Sequence, residues 1–333
     1  MKKIFTIAAL SALSLGASAQ SNTSSYHTMR VVKTDGTEIF YKTTDVDHVD
    51  FIMVEEEEPD NSIKVFLAGN SENENGPCKV NRMEKTGPDG GCILAYPDPS
   101  TDPNTKHPVV IWGPGGGTEP GAYGGMINRL ASQGFVVLAL SSSPGDGNSA
   151  SKAIDWLENI SEQEGKPLYH KLILDRIGCA GHSMGGLESE QALLKDKRVY
   201  TACLNNSGDL GHSAMSQIKT GKPIAIVYGE KGMERPNAEA DYNNSGVTTP
   251  ACLIMMTGGD PNSGEGGYGH GSAAWDGIGA TVAWMRWHLG GETFRKDDFT
   301  TPNGTYISGQ IVNGFSWNSK WSGKYKNWEN WKE

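Results

Sequence analysis

The sequence predicts an α/β protein with a mostly parallel sheet, helices on both of its faces, and a small β unit ahead of it. Two patterns carry this. Short apolar runs alternate with helix-like segments from Val109 to Leu289, the rhythm of strand–helix–strand units. Those runs, such as Val109-Val110-Ile111-Trp112 and Ile224 to Tyr228, are apolar at successive positions, as strands covered on both faces must be. Composition agrees. The 333 residues, 37% hydrophobic and 20% charged, are enough for a core, which excludes global disorder. Glycine is 43 of 333 against a usual ~7%, with no Gly-X-Y period, so tight turns are expected and collagen is not. With 29 Lys+Arg against 39 Asp+Glu the net charge is −10. That argues against nucleic acid or an anionic membrane as partner.

In chain order, Met1-Lys2-Lys3, the apolar run Ile4 to Gly16 and Ala17-Ser18-Ala19 have the three parts of a Sec signal peptide over 1–19, too short to span a bilayer. No later apolar run reaches spanning length, and periplasmic or secreted location follows. Residues 20–54 read as a small β unit: Met29-Arg30-Val31-Val32 and Glu38-Ile39-Phe40-Tyr41 flank the turn signal Thr34-Asp35-Gly36-Thr37, and Val46 to Val54 supplies a third strand. Residues 55–62, opening with four glutamates, form an acidic linker.

The main domain is expected over 63–295. Its strands are 109–112, 135–140, 177–180, 199–204, 224–228 and 251–256. Its helices are 124–133, 150–163, 185–195 and one long helix over 271–289. Residues 296–333 form an extension with Trp317, Trp321, Trp328 and Trp331, either packed onto the domain or offered to sugars. Export permits disulfides. Of the five cysteines, Cys78 and Cys92 flank a Gly/Pro-rich stretch and are expected to bridge, while Cys179, Cys203 and Cys252 sit in apolar runs as buried thiols.

The chemistry centres on Gly181-His182-Ser183-Met184-Gly185-Gly186, which follows a strand and opens a helix. G-x-S-x-G in that setting makes Ser183 a candidate nucleophile: small flanking residues allow a strained turn that exposes its Oγ. The Met184 N–H would then face an oxyanion. A second donor is expected from Gly113-Pro114-Gly115-Gly116-Gly117. No Lys-Ser/Thr follows to make that loop a phosphate cradle. A base must come later in the chain. His270, in Gly269-His270-Gly271, sits in a loop, while His288 lies inside a helical run. His182 is read as structural.

Residues 108–290 resemble the dienelactone-hydrolase-like branch of α/β-hydrolases, which includes chlorophyllase-like esterases and cutinase-type polyester hydrolases. The resemblance rests on Pro114-Gly115-Gly116, the join Arg129-Leu130-Ala131-Ser132-Gln133-Gly134-Phe135-Val136-Val137, the serine elbow, and the late His270 between glycines. It implies the α/β-hydrolase fold, Ser183 as nucleophile, His270 as base, and the N–H groups of Met184 and Gly116 as oxyanion hole. Two departures stand out. The family's catalytic Asp falls on Gly232, and the aromatics that clamp a planar polymer unit in the polyester hydrolases fall on Gly116 and Gly208. An acid must then come from elsewhere. Glu234 is the choice, since it is one methylene longer than Asp and two residues past the gap, with Asp209 and Glu230 as alternatives and Asp241 behind them.

These observations lead to an exported serine carboxylesterase that needs no metal or organic cofactor. Its substrate would be an extracellular ester, such as acetyl or feruloyl groups on plant polysaccharide. A polyester hydrolase, a non-catalytic binding protein on the same scaffold and a serine peptidase are the rival readings.

Overall fold

The computed structural model describes residues 28–32, 36–46, 71–98, 106–219, 221–312, 317–329 and 331. The chain divides into two units, Met1–Glu58 and Pro59–Glu333. In the first, β1 (Thr28–Val32) and β2 (Glu38–Lys42) pair antiparallel, with Val32 opposite Glu38. The signal peptide, the first half of the expected turn, the third strand beyond Val46 and the acidic linker lie outside the described residues.

The second unit is a nine-stranded sheet with helices on both faces. Its elements run β3 (Val80–Thr86), β4 (Cys92–Pro97), β5 (His107–Gly113), α1 (Gly124–Ser132), β6 (Val136–Ala139), α2 (Asn148–Ser161), β7 (Leu172–His182), α3 (Met184–Lys195), β8 (Val199–Asn205), α4 (Ala214–Gln217), β9 (Ile224–Gly229), α5 (Arg235–Asn243), β10 (Ala251–Thr257), α6 (Ser272–Trp275), α7 (Ile278–His288), α8 (Lys296–Thr300), α9 (Thr305–Ser308) and β11 (Lys320–Lys326). The strand order is β11-β10-β9-β8-β7-β5-β6-β4-β3. The six central strands are parallel; β3, β4 and β11 join antiparallel at the edges.

Alternate residues of one strand enter opposite cores. Val110 and Trp112 of β5 pack with α1 and α7, while Val109 and Ile111 pack with α2 and α3. Both faces of the strand are therefore apolar, which is why its sequence is a continuous run. The expected long helix over 271–289 is instead two helices: it breaks at Asp276-Gly277, and the Gly277 N–H returns to Ser272 O at 2.9 Å.

The C-terminal extension completes the sheet. β11 pairs along the whole of β10. Trp321, Trp328 and Trp331 are buried, Trp328 stacks on Trp287 with centroids 4.9 Å apart, and its Nε1 donates to Ala251 O at 3.2 Å. Buried in this way, these three rings anchor the extension and offer no surface to sugars.

The expected Cys78–Cys92 bridge does not form. The residues between them fold into the β3–β4 hairpin, with Cys92 opposite Thr86 at the turn end. Cys78 lies at the open end, where the Asp98 N–H bonds Lys79 O. Six strand steps separate the two, roughly 20 Å at ~3.3 Å per residue, well beyond the ~7 Å Cα limit of a disulfide. Cys92 is instead buried beneath the turn, with its thiol donating to Asp89 Oδ1 at 3.4 Å.

Candidate active site

The candidate residues gather at the carboxyl ends of the parallel strands, where open α/β sheets place their sites. β7 runs to His182, α3 starts at Met184, and Ser183 between them has φ 53° and ψ −116°. This left-handed conformation is one a side chain rarely adopts and costs on the order of 1–3 kcal/mol. Its surroundings hold it there. The Ser183 N–H donates to Asn205 O at 3.0 Å, and its carbonyl accepts from Gly186 N at 2.9 Å and Ser207 Oγ at 2.8 Å. Gly185 must be glycine because any Cβ there would overlap the Gly113 carbonyl. The G-x-S-x-G spacing is thus a packing requirement of α3 against the end of β5.

Gly116 and Met184, the expected oxyanion donors, come together: a Cβ on Gly116 would lie 3.2 Å from Met184 Cγ. The loop carrying Gly116 is pinned by Tyr123, whose hydroxyl accepts from the Gly115 N–H at 2.9 Å and shares a 2.8 Å hydrogen bond with His182 Nδ1. Nothing in the sequence singled out Tyr123. His182, read as structural, braces that loop through Tyr123. Burial first, then the charge of His270, pushes its pKa down to about 4, so near neutral pH it carries no charge.

His270 and Glu234 meet. His270 Nδ1 lies 2.8 Å from the Glu234 carboxylate. The hydrogen bond that His270 donates to Glu234 raises the His270 pKa above the ordinary value, against the effect of burial. Burial alone would raise the Glu234 carboxyl, but the bonds from His270 and Asn206 together hold it below the usual range. The absent Asp is explained by space: a Cβ on Gly232 would overlap the Glu234 carboxylate. The Glu234 carboxylate reaches back from the N-cap of α5 into the volume that a side chain at 232 would fill.

Asn206, another residue the sequence did not flag, fixes this carboxylate. It is fully buried with φ 48°. Its Nδ2 donates to Glu234 Oε1 at 2.6 Å and to Gly269 O at 3.1 Å, and its Oδ1 accepts from the Ala273 N–H at 2.7 Å. One side chain therefore ties together the acid, the His270 loop and α6. The only hint in the sequence is a polar Asn205-Asn206-Ser207 ending an apolar strand.

The alternative acids are engaged elsewhere. Asp209 accepts from the N–H groups of Gly211, Ser213 and Ala214 at 3.1, 2.8 and 3.0 Å, ordering the start of α4. Glu230 Oε1 accepts from Gly258 N at 3.0 Å. Asp241 is fully buried on α5. His288 is enclosed by Trp284, Trp287, Trp328 and Trp331.

The two glycines at the clamp positions differ in cause. Gly208 backs onto α5, where a Cβ would lie 2.5 Å from Ala238 N, so no aromatic side chain fits. At Gly116, Met184 occupies the adjoining space. An aromatic reaches the site from another element. Trp275, 46% exposed, stacks on Tyr123 at 5.2 Å and meets the His182 ring edge-on at 5.3 Å; His182 is in turn 4.7 Å from the His270 ring. Gly271, at φ 102°, leaves room for the indole. Among the described residues no group of three or more His, Cys, Asp or Glu is placed to hold a metal ion.

A family model described as PET hydrolase-like matches residues 60–233, just over half the chain. The match contains the Gly116 loop and the Ser183 elbow and stops one residue short of Glu234. No curated protein matches the sequence.

Proposed function

The chain belongs to the PET hydrolase-like family and is an ester hydrolase of α/β-hydrolase fold, and from that premise we propose that it is an exported serine carboxylesterase working through Ser183, His270 and Glu234. Ser183 Oγ attacks the ester carbonyl as its proton passes to His270 Nε2, the ring nitrogen that Glu234 leaves available. The N–H groups of Met184 and Gly116 stabilise the oxyanion. Its collapse expels the alcohol, which takes the proton from His270, and leaves an acyl-Ser183. Water, deprotonated by His270, then releases the acid and restores the serine. The observation that carries this reading is the 2.8 Å contact of His270 Nδ1 with Glu234, on a loop beside a strained serine turn.

Trp275 supports an acyl group with a flat ring, which favours feruloyl over acetyl esters of a polysaccharide. A polyester with aromatic units is the second reading, favoured by the family match itself. The basic n-region, apolar run and Ala-x-Ala box at 1–19 support export.

A fluorophosphonate probe tests the nucleophile: it should label wild-type protein at Ser183 and leave Ser183→Ala unlabelled. Absence of labelling in wild type would favour a non-catalytic binding protein. Turnover of acetyl, butyryl and feruloyl esters, a soluble aromatic polyester and aminoacyl anilides then ranks the substrates. A preference for anilides would move the reading to a peptidase. Amino-terminal sequencing of exported protein should begin at Gln20.

A further inference from the structure

α3 and α5 each begin at a residue of the proposed triad: Ser183 is the N-cap of α3 and Glu234 the N-cap of α5. Seven positions further along each helix, about 10 Å at ~1.5 Å per residue, stands a fully buried carboxyl group, Glu190 on α3 and Asp241 on α5. Their carboxyl groups face each other within hydrogen-bonding reach. Among the described residues neither Glu190 oxygen has a donor, and Asp241 Oδ1 has none either; Asp241 Oδ2 accepts from the Asp209 N–H at 3.3 Å. Glu188, one residue before Ser189 on the same helix, is a contrast. It is equally buried, but its carboxylate accepts from the backbone N–H groups of Gly145, Asp146 and Ala150 at 2.9, 3.1 and 3.0 Å. A hydrogen bond between the Glu190 and Asp241 carboxyl groups requires a proton on one of them, because two carboxylates offer only acceptors.

We infer that Glu190 and Asp241 share one proton and act as a positioning pair, bolting the serine-bearing helix to the acid-bearing helix so that Glu234 and His270 stay aligned with Ser183. The charges around the pair favour keeping that proton. Asp209, on the loop after β8, faces both groups with its own negative charge, and it is itself held ionised by three N–H groups and the nearby His212. Lys326 on β11 is a cation that acts on Asp241, and its ammonium is committed to Tyr242 O. Burial, then the Asp241 charge, pushes Glu190 well above the ordinary carboxyl range. The sign of the effect follows from this. An acid with a raised folded pKa contributes stability that is complete below its unfolded value, near ~4.3, and that declines as pH rises toward the folded value. Loss of the proton leaves two buried like charges, and the helices lose their tie.

The alignment half of the inference rests on the proposed triad; the shared proton does not, and the experiment separates them. Glu190→Gln keeps a donor toward Asp241 and removes the titration, and Asp241→Asn does the same from the other side. Thermal midpoint and kcat, each normalised to that protein's own maximum, are followed from about pH 5 to about pH 10. Wild type should lose both on the alkaline side, and each amide variant should hold both to higher pH. Infrared difference spectra of wild type near neutral pH should show the carbonyl band of a protonated carboxylic acid, absent from Glu190→Gln. Glu190→Leu, which removes the tie without leaving a charge on α3, should lower kcat by at least about tenfold with KM within about twofold. Superimposable pH profiles or a missing acid band overturn the shared proton, whatever the esterase assay gives. Wild-type kcat in Glu190→Leu overturns the positioning role.

Discussion

Replacing Glu234 by Gln should disable the site through a single proton. The amide is nearly isosteric, and its orientation is dictated by Asn206. Asn206 cannot rotate to suit the new side chain, because its Oδ1 is held by the Ala273 N–H and its Nδ2 also serves Gly269 O. Its Nδ2 therefore continues to point at position 234 and requires an acceptor there, now 2.6 Å away. Gln must turn its carbonyl to Asn206 and its NH2 to His270. Facing a donor, His270 Nδ1 becomes the acceptor and the ring proton moves to Nε2, the atom that in the proposed mechanism accepts from Ser183. Trapping a catalytic histidine in the wrong tautomer costs on the order of 10³–10⁴-fold in kcat, about 4–5 kcal/mol of barrier. The assay is steady-state hydrolysis of a p-nitrophenyl ester, with the tautomer read by nitrogen NMR of the imidazole. A Glu234→Gln enzyme within tenfold of wild-type kcat would refute the reasoning.

Further outcomes are expected. Ser183→Gly should abolish turnover and yet raise stability by about 1 kcal/mol, the relief of left-handed strain less the entropy of an added glycine; thermal unfolding beside the ester assay checks both. Activity should fall as pH drops through a His270 pKa lying above the ordinary ~6.5, read from kcat/KM against pH. His182 acts on stability with the opposite sign to a raised base. Depressed to about 4, it contributes roughly 3 kcal/mol above its unfolded value, lost as pH falls from about 6.5 toward 4, and the thermal midpoint of His182→Gln should show a flatter acid limb. Unreduced exported protein cut by trypsin between Lys79 and Lys85 should release the Cys78 and Cys92 peptides separately in mass spectrometry.

The fold was legible because strand burial on both faces writes itself as continuous apolar runs, and the elbow because its glycines are set by backbone contact. The edges were not. β3 is polar and half-exposed, and β11, reading Lys-Trp-Ser-Gly-Lys-Tyr-Lys, alternates as a one-faced strand does, so neither matches the pattern of the central strands. The bridge between Cys78 and Cys92 failed for a related reason. Closeness in sequence suggested closeness in space, but the intervening residues form a hairpin that carries the two to opposite ends. Tyr123 and Asn206 left no local signal, because what they do depends on partners far along the chain: Tyr123 meets His182, and Asn206 meets Glu234, Gly269 and Ala273.

The proposed acid was only half legible. Sequence showed the gap at Gly232 but not that the gap and its replacement are one event. Because a Cβ on Gly232 would overlap the Glu234 carboxylate, the two positions compete for one volume, and glycine at 232 is what lets Glu234 reach His270. The backbone at Gly232 is not in the left-handed region, so a side chain there is excluded by Glu234 and not by strain. Gly232→Ala should therefore displace the carboxylate and lower kcat by about 10²-fold or more, while Glu234→Ala alone should lose as much as Glu234→Gln. The double change Gly232→Asp with Glu234→Ala returns a carboxylate to the emptied space, beside Asn206 Nδ2 and His270 Nδ1. It should recover at least about tenfold over Glu234→Ala. Hydrolysis rates of wild type, Gly232→Asp, Glu234→Ala and the double variant form a closed cycle, and strictly additive losses would show that the two positions do not share a site.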